Sequence, residues 1–304
     1  MIIFDIFSYK KRMIGGNNLV VLLCAIVFIL FSRTVVSQEL HQDHDSSRII
    51  AEILVKAQKY CRKLERAALD YVCTEKIEEE IIQQVMESRT RVNPRTAQTT
   101  LEYTPSEQKL KNTYVYDYQM IRKDRRFEEH RTLIDENGKE CRIPNARLKT
   151  TFVEFRNGVF GPVGLLSTDK QQDYNYRILE KIKESENEIV VISVHPKDLI
   201  NADQPYGKIW IKTAGFGVLK IEWYQESLGN FPAIMEYAKK QNAKPSITAY
   251  TEFGYEKNGI RFPSRMSIEE AYIKKKDKKE IRSLTVVEYV DYKFFTVETK
   301  IDYN

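Results

Sequence analysis

Residues 206–223 read YGKIWIKTAGFGVLKIEW, two runs of alternating apolar and polar residues with a tryptophan in each. The glycine-containing turn AGFG separates the two runs, so the stretch predicts a β-hairpin. Successive side chains of a strand point to opposite faces. Either Trp210 or its neighbours Ile209 and Ile211 therefore face the interior, and the sequence alone leaves both choices open.

This hairpin stands within a longer series of strands and turns. Strands are predicted over YNYRILEKI and EIVVISVHP (174–196), over SITAYTEFGY and IRFPSRMSIEEAYI (246–273), and over a final pair, EIRSLTVVEYVDY and FFTVETKID (280–302). Upstream, tyrosines alternate with other residues from 114 to 120, which predicts a further strand. Residues 89–108 carry two prolines and no periodicity, so they are predicted to form a long loop. Tight turns between successive strands indicate an antiparallel sheet.

Two other segments are predicted to pack on this sheet. Residues 47–69 place apolar side chains every three or four residues, which predicts an amphipathic helix. Residues 155–167, FRNGVFGPVGLLS, are predicted to form a mobile apolar loop or short helix across the sheet. The predicted fold class is α+β and mostly β: a curved antiparallel sheet, or half-open barrel, with an N-terminal helix and a loop or short helix covering its concave face.

The N-terminal segment has the three parts of an export signal: basic residues, an apolar run from 19 to 31, and short residues before a cleavage site after Ser37. This apolar run of 13 residues is short for a bilayer span, which needs about 20. We therefore predict a signal peptide over 1–37, a polar tail over 38–46, and a single periplasmic domain over 47–304. An uncleaved inner-membrane anchor is the alternative.

The charge balance argues against nucleic acid as a partner. The full chain has a formal net charge of +5, of which residues 1–37 contribute +3, so the exported part is close to neutral. The lysine-rich run from Ile273 to Arg282 is interrupted by Asp277 and Glu280. We predict a solvated hairpin turn there, with a contact to an anionic membrane as the alternative.

Three cysteines follow the predicted signal peptide: Cys61, Cys73 and Cys141. Along one continuous helix, Cys61 and Cys73 would lie about 18 Å apart, beyond the reach of a disulfide. If the chain turns between them, they are the candidate disulfide in an oxidising compartment. Two buried free thiols are the alternative.

The residues offer no catalytic or metal-binding motif. The chain has no GxSxG elbow, and its glycines match neither a GxGxxG nor a GxxxxGK phosphate loop. Neighbouring carboxylates, as at Glu78, Glu79 and Glu80 or at Glu269 and Glu270, point to opposite faces of a strand and are predicted to be solvated. We predict no enzyme activity, no cofactor and no metal site.

The 206–223 hairpin resembles the central hairpin of the LolA-like superfamily of periplasmic lipoprotein carriers, in which one strand has the pattern G-x-[IVL]-W-[IV]. The residues that carry the resemblance are Gly207, Ile209, Trp210 and Ile211, followed by Leu219, Lys220, Ile221 and Glu222. The helix at 47–69 and the alternation at 294–302 are also similar to that superfamily. The chain departs from it in its long insertions at 89–112 and 141–171, and the arginine expected as a latch in the carrier cavity has no assignable position here.

The resemblance implies a fold and a substrate class, a lipid or an acylated protein, and no chemistry. It makes the hairpin one wall of an apolar cavity. The candidate cavity residues are Trp210, Ile209, Ile211, Trp223, Phe160 and Leu165. Two functions stay open: a periplasmic carrier or binding protein for a lipid or lipoprotein, and a non-catalytic structural or protein-interaction module of the cell envelope. An open cavity lined by Phe, Leu and Trp would favour the first, and a filled core with exposed aromatic patches would favour the second.

Overall fold

The structure is a computed structural model that describes residues 46–69, 71–92, 94–95, 99–123, 126–151, 158–184, 187–199, 205–228 and 232–295. The predicted signal peptide, its cleavage site and nearly all of the polar tail lie outside the described residues. All of the described strands belong to one compact unit, residues 50–304.

Eleven antiparallel strands form one sheet in the order β4-β3-β2-β1-β13-β12-β9-β8-β7-β6-β5, and β10 pairs with β11 in a separate hairpin. In chain order the strands are β1 (Tyr71–Val92), β2 (Thr99–Lys123), β3 (Arg126–Glu136), β4 (Lys139–Ile143), β5 (Tyr174–Glu184), β6 (Asn187–Pro196), β7 (Gly207–Lys212), β8 (Val218–Trp223), β9 (Lys244–Glu252), β10 (Tyr255–Lys257), β11 (Ile260–Phe262), β12 (Arg265–Ile273) and β13 (Lys279–Phe294). The edge strands β4 and β5 lie at opposite ends of this order, so the sheet is open.

The described helices are short apart from the first. They are α1 (46–67), α2 (Gly161–Leu166), α3 (Thr168–Gln171) and α4 (Pro232–Lys240), and a 3-10 turn at Gly158–Phe160 leads into α2. The apolar face predicted for this helix is buried at Ile53, Ala57, Tyr60, Cys61 and Leu64 of α1 and at Ala68, just past its end. Helix α4 was not among the predicted elements, although its first residue is a proline, which is favoured at that position.

One row of aligned residues crosses the sheet from β2 to β5 and defines one face, which we call the lid face. The row consists of Tyr114, Ile77, Val287, Met266, Thr251, Ile221, Ile209, Ile192 and Ile178. All of these residues are buried except Ile178, which is half-buried on the edge strand. Burial of this row accounts for the alternating pattern in the sequence.

The sheet curves around the segment that crosses its lid face. The Phe160 ring lies 4.6 Å from the ring of Phe127 on β3, and a Cβ on the next residue, Gly161, would lie 3.3 Å from Trp223 Cζ2 on β8. Six strand intervals separate β3 from β8, which is about 29 Å in a flat sheet. Side chains stand nearly perpendicular to a sheet, and two consecutive residues could not contact both strands across a flat one. The sheet is therefore curved. The predicted fold class is confirmed.

The loop predicted over residues 89–108 was wrong. Strand β1 continues to Val92 and β2 begins at Thr99, with a continuous register from Val72↔Gln119 to Val92↔Thr99. The last pair between β1 and β13 is Ile81↔Ser283, so the outer part of the β1–β2 hairpin projects beyond the sheet. We call residues 82–92 and 99–109 the arm. Both faces of the arm are largely exposed, and therefore no apolar alternation marks its strands in the sequence.

The prediction of two strands over 280–302 was also wrong, because the turn expected between them, near residue 293, is absent. Strand β13 runs without interruption from Lys279 to Phe294 and pairs with β1 and β12. Its last residue, Phe294, lies opposite Tyr71, the first residue of β1. Residues 296–302 of the predicted second strand lie outside the described residues.

Candidate functional site

A layer of helices covers the lid face. We call residues 50–67 of α1 together with residues 158–171 the lid. Its parts are joined by hydrogen bonds: Gln171 Nε2 donates to Leu54 O at 3.0 Å, Gln58 donates to the Thr168 hydroxyl, and the Cys61 thiol donates to Pro162 O at 3.5 Å. These bonds hold α1, α2 and α3 together as one layer.

The lid meets the sheet mainly through apolar atoms. A Cβ on Gly161 would lie 3.1 Å from Ile221 Cδ1, so the backbone of α2 rests directly on β8 because residue 161 has no side chain. Phe160 packs on Phe127, and the buried lid residues Val159, Leu165 and Leu166 add to the interface.

Polar contacts at Tyr176 and at Tyr60 also join the lid to the strands. The Tyr176 hydroxyl of β5 donates to Leu165 O at 2.7 Å. The Tyr60 hydroxyl accepts from Arg261 N at 3.2 Å and lies 3.3 Å from Arg261 O, on β11. The first contact lies on β5 and the second on β11, and neither involves Phe127 or β3. The part of the lid that spans the middle of the sheet is therefore held by apolar packing.

The structure brings most of the predicted cavity residues to this interface. Ile209, Ile211 and Leu165 are fully buried, and Phe160 contacts Phe127. Trp223 is half-buried, contacts Gly161, and donates its indole N–H to Thr251 Oγ1 at 3.2 Å.

Trp210 lies on the opposite face of the sheet. Its ring is half-buried, and Lys220 Nζ lies 5.2 Å from its centroid and 4.7 Å from that of Tyr250. The register Ile209↔Ile221 places Ile209 on the lid face, and Trp210 follows it in the strand. Ile209 and Ile211 therefore face the interior, and Trp210 does not.

A buried charged cluster lies on the lid face at β1, β2 and β3. Arg131 donates to Glu75 through two bonds, Nε to Oε2 at 2.6 Å and Nη2 to Oε1 at 3.0 Å, and to Glu129 Oε2 at 3.0 Å. The Tyr118 hydroxyl donates to Glu129 Oε1 at 3.0 Å, and the Arg131 guanidinium lies 5.0 Å from the Tyr118 ring. Tyr289 of β13 lies opposite Glu75 and interacts with its carboxyl. A Cβ on Gly158 would lie 3.8 Å from the Tyr289 hydroxyl, so the lid reaches this cluster.

Burial dominates the electrostatics of the cluster. It raises the pKa of the Glu75 carboxyl, and the Arg131 guanidinium opposes that rise. Burial also raises the pKa of Tyr118 and Tyr289 well above the usual range, so both phenols are neutral donors. Two carboxylates share one guanidinium, and neutral phenols supply further donors. Sequence reasoning missed this cluster because Glu75 and Arg131 are 56 residues apart and meet only through the strand register.

The prediction of solvated carboxylates was wrong for two residues. Glu79 is fully buried, and it accepts from Thr151 N at 2.7 Å and from Thr151 Oγ1 at 3.0 Å. Glu270 is buried, and it accepts from Tyr272, Arg282 and Ser283. In each case one carboxylate of the neighbouring set is buried, while the adjacent Glu78 or Glu269 is not.

The two cysteines of the candidate disulfide are free, buried thiols. Cys61 contacts Pro162 in the lid, while Cys73 on β1 interacts with Tyr292 of β13. Burial raises the pKa of Cys61 to about 12 and also raises that of Cys73. Both thiols are therefore protonated near neutral pH.

A cavity of about 330 Å³ lies at the base of the arm. Its lining is mixed, and it consists of Ile82, Glu107, Tyr237, Gln241, Tyr272, Lys274, Lys278, Glu280, Ile281 and Arg282. Arg282 stacks on the Tyr237 ring at 4.0 Å, and Lys274 and Lys278 both pair with Glu280. None of the predicted cavity residues lines this pocket.

Within the described ranges, no group of three or more His, Cys, Asp or Glu side chains is arranged to hold a metal ion. A search of the same residues finds no helix that is both long and apolar enough to cross a membrane.

The solved structures that are similar to the chain include two of low sequence identity. A LolA superfamily protein from Nitrosomonas europaea has 13% sequence identity and a TM-score of 0.31, with 80% of this chain and 94% of that chain covered. A DUF1329 family protein from Desulfovibrio piger has 10% identity and a TM-score of 0.30, with 78% and 91% covered. No protein-family model and no curated protein matches the chain. The first of these two proteins belongs to the superfamily that the 206–223 hairpin resembles.

Proposed function

We propose that this protein is an exported, non-catalytic carrier or binding protein for a lipid or an acylated protein, with the acyl chain held between the lid and the lid face. The observation that carries the proposal is the interface itself. Hydrogen bonds join the parts of the lid to one another, whereas apolar packing at Phe160 and Gly161 holds its centre to the sheet.

An acyl chain is a physically suitable replacement for this packing. Burial of each CH₂ group contributes about 0.8 kcal/mol, comparable per carbon with burial of an aliphatic side chain. A chain that displaces residues 158–161 would replace the packing of Phe160 on Phe127 and of Gly161 on Ile221, and it would leave the hydrogen bonds to Pro162 O and Leu165 O in place. The two polar contacts, at Tyr176 and Tyr60, lie away from Phe127 and would act as the hinge side of the lid.

The charged cluster supports an amphiphilic ligand rather than a pure hydrocarbon. Arg131, Glu75 and Tyr118 lie on the same face as the apolar row, beside residues 158–160. A ligand with its chain along β8 and β9 would have its polar group near these donors. The proposal assigns no chemical step to any residue.

The test is native mass spectrometry of the protein purified from its envelope fraction, with lipid extraction of the same sample. We expect a co-purifying acyl species of defined mass. It should be lost in Leu165→Asp, which places a charge in the buried lid, and kept in Trp210→Asp, which changes the opposite face. A clean protein mass that incubation with envelope lipids leaves unchanged would contradict the proposal, and so would equal loss of the species in both folded variants.

One observation favours the second candidate function, a structural or protein-interaction module of the envelope. Ile209, Ile211 and Ile221 have no exposed surface, so the lid face is filled by the protein's own side chains in this state. A module of this kind would bind a protein and keep the lid closed. Cross-linking in the envelope fraction that captures one defined protein, together with a lipid-free mass, would select this function.

A further inference from the structure

We propose that the arm, together with the lysine-rich turn at its base, is a docking surface for an anionic lipid membrane. This inference goes beyond the carrier proposal and does not depend on what occupies the lid face. It rests on three features: the arm is exposed, one of its faces is apolar while the other is polar, and positive charge is concentrated near it.

The arm exposes apolar side chains that nothing in the described part of the chain covers. The exposed fractions of Met86, Leu101 and Tyr103 are 67%, 60% and 62%. The pairs Met86↔Pro105, Ser88↔Tyr103 and Thr90↔Leu101 place these three side chains on one face of the two-stranded ribbon. The ribbon is about 37 Å long at the usual rise per residue. An isolated two-stranded ribbon is only marginally stable in water, so a surface that covers this face would stabilise it.

The opposite face of the ribbon is polar and basic towards its tip. Arg91 pairs with Glu102 at 3.2 Å, and Arg89 lies 4.0 Å from Glu87, with both arginine side chains about three-quarters exposed. Residues 88–103 contain three arginines and one glutamate, a net charge of +2. Because the ribbon is a single layer of two strands, these arginine side chains are long enough to extend past its edges towards a surface under the apolar face.

A second basic segment lies at the same end of the sheet. Strand β13 starts beside the end of the paired part of β1, at Ile81↔Ser283, so the turn between β12 and β13 lies at the base of the arm. Residues 274–280 contain five lysines against Asp277 and Glu280, a net charge of +3. Residues 38–304 together have a net charge of only +2, so the remainder is negative and the positive charge is concentrated at this end.

These features together match an anionic bilayer better than a second copy of the chain. Exposed aliphatic and aromatic side chains enter the interfacial region of a bilayer, and nearby lysines and arginines are attracted to its anionic headgroups. A second copy would bring its own basic tip and lysine-rich turn against those of the first, which like-charge repulsion disfavours. An acidic protein surface would satisfy the charge and is the competing occupant that the experiment must distinguish.

The experiment is co-sedimentation of the purified protein with vesicles of phosphatidylcholine containing phosphatidylglycerol and with vesicles of phosphatidylcholine alone. We expect binding to the anionic vesicles that weakens with added salt. The double variant Arg89→Gln and Arg91→Gln should weaken it at least about tenfold. The double variant Leu101→Ser and Tyr103→Ser should also weaken it.

Matched changes on the edge strand β5 serve as controls. Lys181→Gln with Lys183→Gln removes two exposed positive charges, and Leu179→Ser removes an exposed leucine, all far from the arm in the strand order. These variants should bind as the unchanged protein does. Absence of vesicle binding would overturn the proposal, as would equal loss in arm and β5 variants. A dimer by light scattering that arm variants convert to monomer would also overturn it in favour of a second copy.

Discussion

The two halves of the β1–β2 hairpin use the same backbone geometry in opposite environments. We call residues 71–81 and 110–123 the root and compare it with the arm. In the root, Tyr71, Ile77 and Tyr116 are buried; Tyr71 packs against the rings of Phe262 and Tyr292, and the Tyr116 hydroxyl accepts from Lys149 N. In the arm, Met86 and Tyr103 are more than half exposed. The strand register nevertheless runs unbroken from one half to the other.

The difference between root and arm separates the effect of backbone pairing from the effect of burial. Backbone pairing extends the ribbon wherever a partner strand is present, and burial decides which side chains determine stability. The root therefore carries buried Glu75, whose partner Arg131 lies on the adjacent strand β3, while ion pairs of the arm such as Arg91–Glu102 remain in water. Substitutions of the same chemical type should consequently have large effects in the root and small ones in the arm.

The largest contrast is expected between two arginines. Arg131→Ala leaves Glu75 buried without its main partner, and we expect it to lower the free energy of unfolding by about 3–5 kcal/mol. Arg91→Ala removes an exposed ion pair and should cost less than about 1 kcal/mol. Urea unfolding of both variants measures the contrast. Equal losses would mean that the cluster is not buried as described.

A second contrast compares apolar side chains of the same strand. Ile81 is buried at the end of the root, so Ile81→Ala should lower the free energy of unfolding by about 2–5 kcal/mol. Met86→Ala, five residues further along β1, should change it by no more than about 0.5 kcal/mol in the absence of a partner. Thermal unfolding of the two variants distinguishes the outcomes. A large effect at Met86 would show that the arm is covered in the isolated protein.

Two glycines extend the contrast to backbone packing. A Cβ on Gly207 would lie 1.9 Å from Glu222 O, so Gly207→Ala must separate β7 from β8 and should cost about 1–3 kcal/mol or more. A Cβ on Gly158 would lie 3.8 Å from the Tyr289 hydroxyl, an ordinary contact, so Gly158→Ala is the matched control with little expected effect. Unfolding midpoints measure both. An unaffected Gly207→Ala variant would contradict the β7–β8 pairing.

The smallest effect concerns thiol reactivity. With the pKa of Cys61 raised to about 12, its thiolate is negligible near neutral pH, and Cys73 is protected in the same way. We expect iodoacetamide to label only half-exposed Cys141 among these three in the folded protein, and all three after unfolding without reductant. Peptide mass mapping identifies the labelled sites. Failure of Cys61 and Cys73 to react in the unfolded, unreduced chain would instead show that they form a disulfide.

The sequence predicts the parts of the fold in which burial produces a visible pattern. Alternation identifies the 206–223 hairpin because Ile209, Ile211 and Ile221 are buried while Trp210 and Lys220 are not. The arm has no buried face, so its strands lack that alternation and were predicted as a loop.

The polar part of the candidate site could not be predicted for a different reason. Glu75 and Arg131 pair through the register of three strands, and no local spacing encodes that register. Glu79 is similar, because its burial depends on Thr151, a residue beyond β4 that folds back over β1. Which face carries the ligand candidates also depends on where the lid packs, so the sequence could name Trp210 and Ile209 but could not choose between them.

The most direct test of the carrier account uses the two tryptophans of the chain, which lie on opposite faces of the same hairpin. In Trp210→Phe the remaining fluorophore is Trp223 on the lid face, and in Trp223→Phe it is Trp210 on the opposite face. Each variant is titrated with a fatty acid that carries a nitroxide quencher on its chain. The account predicts saturable quenching of Trp223 and little quenching of Trp210. Equal quenching of the two, or none of Trp223, would contradict an acyl chain between the lid and the sheet.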